Sequence, residues 1–157
     1  IRSKAMSYTK QLQRIVREYR DAGQPWPASP DDIAGWAIER ERWSPQRVDL
    51  IKQCARQISQ AMGEEQIRDP QGRSVRAKHC RRFESGTLWD DYRTATREHM
   101  EISFSHRRQH VFGECRQLKT DVDSYNQNIN PGEPIQMSLD FTADIAEYEA
   151  VEMGIAV

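Results

Sequence analysis

Gln66-Ile67-Arg68-Asp69-Pro70-Gln71-Gly72-Arg73-Ser74-Val75-Arg76-Ala77-Lys78-His79-Cys80 is where the periodicity of the chain changes, and its reading decides the fold. Asp69, Pro70 and Gly72 occupy the first, second and last positions of a type I turn, each the residue that position favours. The chain must reverse there. Residues 66–68 are predicted as a short strand on the near side. Residues 73–80 alternate on the far side, with Val75 and Ala77 on one face and Arg76 and Lys78 on the other. Between Arg68 and Arg82, six basic residues (Arg68, Arg73, Arg76, Lys78, Arg81, Arg82) stand against the single Asp69, a net of +5.

Upstream the period is helical. Ser29-Pro30-Asp31-Asp32 supplies an N-cap serine, proline at the first helical position and two acids over the positive end of the helix dipole. Ser44-Pro45 repeats the device. Ile33, Trp36 and Ala37 make a narrow apolar stripe on the first of these helices. On the second, Val48, Ile51, Cys54, Ala55, Ile58, Ala61 and Met62 recur at the spacing of a core-facing surface. Gln46, Asp49, Gln53, Arg56 and Gln60 occupy its opposite face, with Lys52 beside them. Glutamine and arginine can bond base edges in a major groove, although any solvated helix face also contains them. An earlier helix over residues 7–22 presents Tyr8, Leu12, Ile15, Val16 and Tyr19 on one face and is closed by Gly23. Residues 24–28, with Pro25 and Pro27 around Trp26, connect the two.

Three helices followed by a basic hairpin, over residues 7–83, resemble the winged-helix (winged helix-turn-helix) DNA-binding superfamily in order and spacing. The resemblance implies that the third helix approaches a major groove with Gln46, Gln53, Arg56 and Gln60. Lys52, Arg73, Arg76, Lys78, Arg81 and Arg82 would contact phosphate. The expected fold is mainly α: a three-helix winged-helix-like domain with a short β-hairpin, then a long helix or helical hairpin over 87–128, then an acidic C-terminal strand and helix over 129–157.

The net charge of -1 conceals an asymmetry. Residues 1–86 hold 17 Lys/Arg against 11 Asp/Glu, a net of +6, and residues 87–157 hold 6 against 13, a net of -7. An acidic second half can compete with DNA for a basic first half, or serve a separate purpose. Hydrophobic residues at 37% and charged ones at 30% are the balance of a globular domain, with no run apolar enough for a membrane span and no signal-peptide stretch. Cys54, Cys80 and Cys115 are odd in number and lack zinc-type pairing, which points to a reducing cytoplasm.

Residues 87–128 contain no proline and only Gly113, the composition of a long helix. Val111, Cys115, Leu118, Val122 and Tyr125 keep a 4-3-4-3 spacing suited to a coiled-coil seam, and a homodimer through residues 104–125 is expected from it. Leu88, Tyr92, Ala95, Met100 and Phe104 fit a wider core-facing stripe, and residues 103–109 are polar enough to hold a bend. After Asn130-Pro131-Gly132 comes Gln136-Met137-Ser138-Leu139-Asp140-Phe141. This resembles the hexapeptide by which bacterial replication and repair proteins hook onto the sliding clamp. Gln136, Met137, Leu139 and Phe141 match, with Met where Leu is usual. Such a motif would insert apolar side chains into a preformed groove; the competing reading is a short amphipathic strand on the protein's own core. Thr142 is expected to cap a last helix whose Ile145, Tyr148 and Val151 share a face.

No catalytic constellation emerges. His106, His110 and Glu114 share metal-like spacing but read better as solvated helix surface, and there is no phosphate-binding glycine loop, GxSxG or HExxH. The sequence therefore predicts a non-enzymatic, cofactor-free, cytoplasmic binder of double-stranded DNA, with a protein adaptor, a bacterial clamp being the specific partner, as the alternative.

Overall fold

The reversal at Asp69 is present, and a second one follows it. The computed structural model describes residues 7–45 and 50–154. Within them lie the helices α1 (Tyr8–Asp21), α2 (Pro30–Glu39), α3 (Leu50–Glu64), α4 (Arg97–Asn128) and α5 (Thr142–Glu152). The strands are β1 (Gln66–Arg68), β2 (Ser74–Arg76), β3 (Lys78–Phe83) and β4 (Gly86–Asp91). The protein is mainly α, with β1–β2 and β3–β4 as separate antiparallel pairs. It divides into two compact units, Ile1–Ile58 and Ser59–Val157, the boundary falling inside α3.

The first unit is built on α1 and α2. Ser7 caps α1 by accepting the Lys10 N–H, and Ser29 caps α2 through a reciprocal box with Asp32, with Pro30 at its start. The expected faces meet: Ile15, Tyr19 and Ala37 are buried. The Tyr19 ring stands edge-on to Trp36 at 5.6 Å, and its hydroxyl donates to the Pro25 carbonyl at 3.1 Å.

The core-facing stripe expected on α3 is not covered. Leu50 and Ile51 are 79% and 78% exposed, Cys54 and Ile58 are exposed, and α3 has no buried residue. Val48, expected in the same stripe, lies outside the described residues. A helical apolar period marks a face that can be buried; it does not supply the surface that would cover it.

The second unit is organised around Ala77, which is 0% exposed. In the first hairpin Gln66, Ile67 and Arg68 face Arg76, Val75 and Ser74. Its turn closes with the Gly72 N–H donating to the Asp69 carbonyl at 2.9 Å, Gly72 taking φ +83°. The predicted strand over 73–80 is interrupted at Ala77. Its N–H donates to the Glu65 carbonyl, and its own carbonyl accepts from Tyr92. Beyond it, β3 turns through Glu84-Ser85 and pairs with β4 from Lys78↔Asp91 to Phe83↔Gly86.

This second hairpin corrects the expected helix over 87–128. Residues 86–91 are strand, and α4 begins at Arg97 with Thr96 as N-cap. The helix then runs 32 residues without the bend expected at 103–109, a rod of ~48 Å. Its buried face is polar. His99 and Ser103 lie against β3, the His99 Nε2–H donating to the His79 carbonyl at 2.9 Å. Of the stripe expected here, Leu88 lies on β4, Tyr92 just beyond it, and Phe104 is exposed.

After α4 the chain doubles back. The Asn126 side chain accepts the Ile135 N–H at 2.9 Å and donates to the Ile135 carbonyl at 2.8 Å, as a neighbouring strand would. Residues 135–141 nevertheless form no strand. Thr142 opens α5 without capping it: its N–H donates to the Asp140 carboxylate, and Phe141 occupies the cap position with no side-chain bond. Ile145, Tyr148 and Val151 are all exposed. No described helix is long and apolar enough to cross a membrane.

Candidate nucleic-acid interface

The predicted basic residues fall into groups with different electrostatic fates. Gln46 lies outside the described residues. Lys52, Gln53 and Arg56 are exposed on α3 in the first unit, and Gln60, in the second, donates to Glu64 at 3.1 Å.

Arg73 is neutralised by its own turn. The Asp69 carboxylate accepts its backbone N–H at 2.8 Å and its guanidinium at 2.7 Å. Desolvation works against ionisation of Asp69, but the Arg73 donors, with the Gln71 N–H, outweigh it and hold the carboxyl below its ordinary value. Arg68 turns inward to the Gly72 carbonyl at 2.7 Å. Beside them Glu149 and Glu152 of α5 share the walls of a cavity of about 610 Å³ with Arg68 and Arg73. The acidic C-terminal segment therefore sits at the tip of the basic hairpin.

Lys78 is also occupied, pairing with Glu65 at 3.1 Å and Asp91 at 3.3 Å. Both carboxylates stabilise its ammonium, Glu65 the more, and raise its pKa. Asp91 is in turn gripped by Arg93 through both oxygens, which holds it well below the usual carboxylate range. Arg81 stacks over Phe83 with 4.4 Å to the ring centroid, its Nε buried without a hydrogen bond.

Arg76 and Arg82 differ from these. Both are exposed, and neither guanidinium has a carboxylate partner among the described residues. They line a recess of about 550 Å³ whose other wall is α4, with Ser103, His106, Arg107 and His110. No carboxylate lines it. Arg107 is exposed as a residue, yet desolvation of its guanidinium, followed by repulsion from Arg76, lowers its pKa. His106 accepts the Arg82 backbone N–H on Nδ1 at 3.4 Å, which leaves Nε2 as the donor of the neutral ring.

His106 and His110 are exposed, as the sequence predicts; what it does not reveal is that they border this recess together with Arg107. The i, i+4 succession His99, Ser103, Arg107 puts the three on one helix face, but nothing in the sequence marks that face as buried. Among the described residues no three His, Cys, Asp or Glu gather as metal ligands.

The hexapeptide lies elsewhere. Gln136, Met137 and Leu139 line a groove with Leu118 and Val122 of α4. Met137 remains 52% and Phe141 44% exposed, so the segment lies along α4 without being enclosed. No protein-family model, curated protein or solved structure matches the chain.

Proposed function

We propose that the protein binds double-stranded DNA without catalysing a reaction on it, through a winged-helix-like order of elements in which α3 is followed by a basic hairpin. The observation that carries this reading is the group of unneutralised guanidiniums at Arg76, Arg82 and Arg107. Cations held without carboxylates repel one another and attract a polyanion. Gln53, Arg56 and Gln60 are the groups offered to base edges, and Lys52 a further phosphate contact.

Salt dependence is the test. The three recess guanidiniums alone release enough counterions that affinity for a random duplex should fall about 40-fold between about 50 and about 200 mM salt, and a fourth contact from Lys52 would bring the fall to roughly 150-fold. Binding that is absent at low salt, or indifferent to salt, defeats the proposal.

The half-exposed Met137 and Phe141 favour a second reading, an adaptor whose residues 136–141 engage a bacterial sliding clamp. A peptide of residues 133–144 that fails to bind such a clamp at high micromolar concentration removes it. Val111, Leu118 and Tyr125 of the α4 seam are exposed, which supports a homodimer along that helix. Light scattering at micromolar concentration should then return twice the chain mass of 18.3 kDa, and a clean monomer mass ends that idea.

A further inference from the structure

The recess between the β2–β3 edge and α4 holds more hydrogen-bonding capacity than the protein itself uses. Ser103 is 0% exposed, lines the recess, and its hydroxyl has no partner among the described residues. A buried hydroxyl without a partner is costly, and natural folds retain few of them. His79, also on the recess wall and buried, donates from Nε2 to the Arg76 carbonyl at 3.0 Å. Its Nδ1 is buried and unpartnered, an acceptor while the ring is neutral and a donor once it is protonated. His106 offers Nε2–H, and Arg76, Arg82 and Arg107 bring guanidiniums from both walls.

Hydroxyl, imidazole and guanidinium groups that line one recess from two sides suit an anion with oxygens pointing in several directions. A planar carboxylate would satisfy one fork; a phosphate can meet several at once. The cavity, about 550 Å³, falls in the size range of small-ligand sites and admits the ester's organic part as well as its phosphoryl group. We propose that this recess is a receptor for a phosphate ester and that His79 takes up a proton when the ester binds. The inference rests on the nucleic-acid reading only where the ester is a strand phosphate; a free nucleotide presents the same chemistry.

Proton uptake follows from what surrounds His79. The titratable groups around it are Arg76, Lys78 and Cys80 on its own edge of the sheet, Asp90 opposite it on β4, and His99 and Arg107 from α4. Burial disfavours the imidazolium most, the bond to the Arg76 carbonyl favours it, and the positive charges of Arg107 and Arg76 again oppose it. A phosphate among those guanidiniums offsets their repulsion and gives the Nδ1 proton an acceptor.

The test is calorimetry on the full chain with inorganic phosphate, a 5′-mononucleotide and a duplex, each in two buffers of different ionisation enthalpy near neutral pH. Saturable binding with net proton uptake is expected, with His79 ring resonances moving to the protonated position. Arg107→Ala should weaken phosphate or nucleotide binding about tenfold, the size of one lost charge-assisted hydrogen bond. Ser103→Ala, which removes an unpartnered hydroxyl and keeps the packing, should weaken it about threefold or more while leaving the fold intact. Arg116→Ala, further along α4 and outside the recess, should leave it unchanged. No saturable binding of phosphate or nucleotide at millimolar concentration overturns the proposal, as does binding that neither recess variant weakens. Binding without proton uptake overturns the role of His79. Duplex binding that ignores Arg107→Ala and Ser103→Ala, while both weaken nucleotide binding, overturns the strand phosphate as the ester and with it the placing of duplex contact on Arg107. Phosphate binding with no duplex binding overturns the duplex reading, leaves the recess standing, and identifies the free nucleotide as the source.

Discussion

In the β1–β2 hairpin, Arg73 is held by Asp69 at 2.7 Å and Arg68 by the Gly72 carbonyl, whereas Arg82 of β3 gives only its backbone N–H to His106 and leaves its guanidinium uncommitted. The two hairpins are consecutive and carry three basic residues each, yet within each the charges have different fates: Arg76 of the first and Arg82 of the second stay uncommitted, while Arg73 and Lys78 are paired. Where a turn is formed by an aspartate, the nearest arginine is drawn into the turn. Where the strand faces a helix with no acid at that position, the cation stays available. Counting Lys and Arg along a chain therefore measures supply, and the neighbouring backbone decides how much of it reaches a ligand.

The comparison breaks most sharply at His99. Its ring is buried and ties α4 to the carbonyl of His79, so His99→Ala removes a buried donor and leaves a cavity, at a cost of about 2–4 kcal/mol. Urea unfolding measures the loss. Amide exchange should show β3–β4 opening first, while the turn at Asp69 keeps its protection because its bonds are local. Equal loss of protection in both hairpins would mean that they form one cooperative element after all.

The first hairpin was legible because its turn chemistry is local: Asp69, Pro70 and Gly72 act on their immediate neighbours, as do Ser7, Ser29 and Pro30 at the helix starts. The second hairpin was equally local but was overwritten by composition. Ser85-Gly86 is a turn dipeptide and Thr87, Leu88 and Trp89 favour strands, yet the absence of proline between residues 87 and 128 suggested helix. The recess was not legible at all. It joins Arg76 and Arg82 to Arg107, and only the docking of α4 on β3, through buried His99 and Ser103 and the Phe104 ring against His79, creates it. A buried His-Ser pair has the same appearance in sequence as a solvated one. The same limit applies to α3, whose apolar period is as regular as that of α1 and whose face is exposed.

Acid sharpens the comparison next. The folded-state pKa of Asp69 lies below its ordinary value of 3.8, so its stabilisation of the first turn is fully present above that value and is lost as pH falls through the folded one. Asp69→Asn should remove this dependence and loosen the turn at every pH. In a titration from about pH 6 to about pH 2, amide shifts of Gly72 and Arg73 should move in the native chain and stay nearly constant in the variant. Asp91, gripped by Arg93, places a second depressed carboxylate at the base of β3–β4 rather than at its turn. Its protonation should therefore disturb the Tyr92 and Ala77 amides and spare the Glu84-Ser85 turn. Shifts at that turn instead would contradict the assignment of Asp91 to the base.

The smallest effect concerns the acidic helix beside the first turn. Glu149 and Glu152 share a cavity wall with Arg68 and Arg73, so the tip of that hairpin carries negative charge from α5 besides Asp69. Glu149→Gln with Glu152→Gln removes two charges from an exposed site, where each ion-pair contribution is a fraction of a kcal/mol to about 1 kcal/mol. Duplex affinity at low salt should rise about two- to fivefold, with the gain vanishing as salt is added. The expected size follows from the comparison itself: Arg73 remains bound to Asp69 in the variant, so only the longer-range repulsion between α5 and the polyanion is relieved. A gain much larger than fivefold would mean that the turn end of the first hairpin, with Arg68 and Arg73 freed of α5, contacts DNA directly. The contrast between that paired end and the uncommitted Arg76 and Arg82 would then fail.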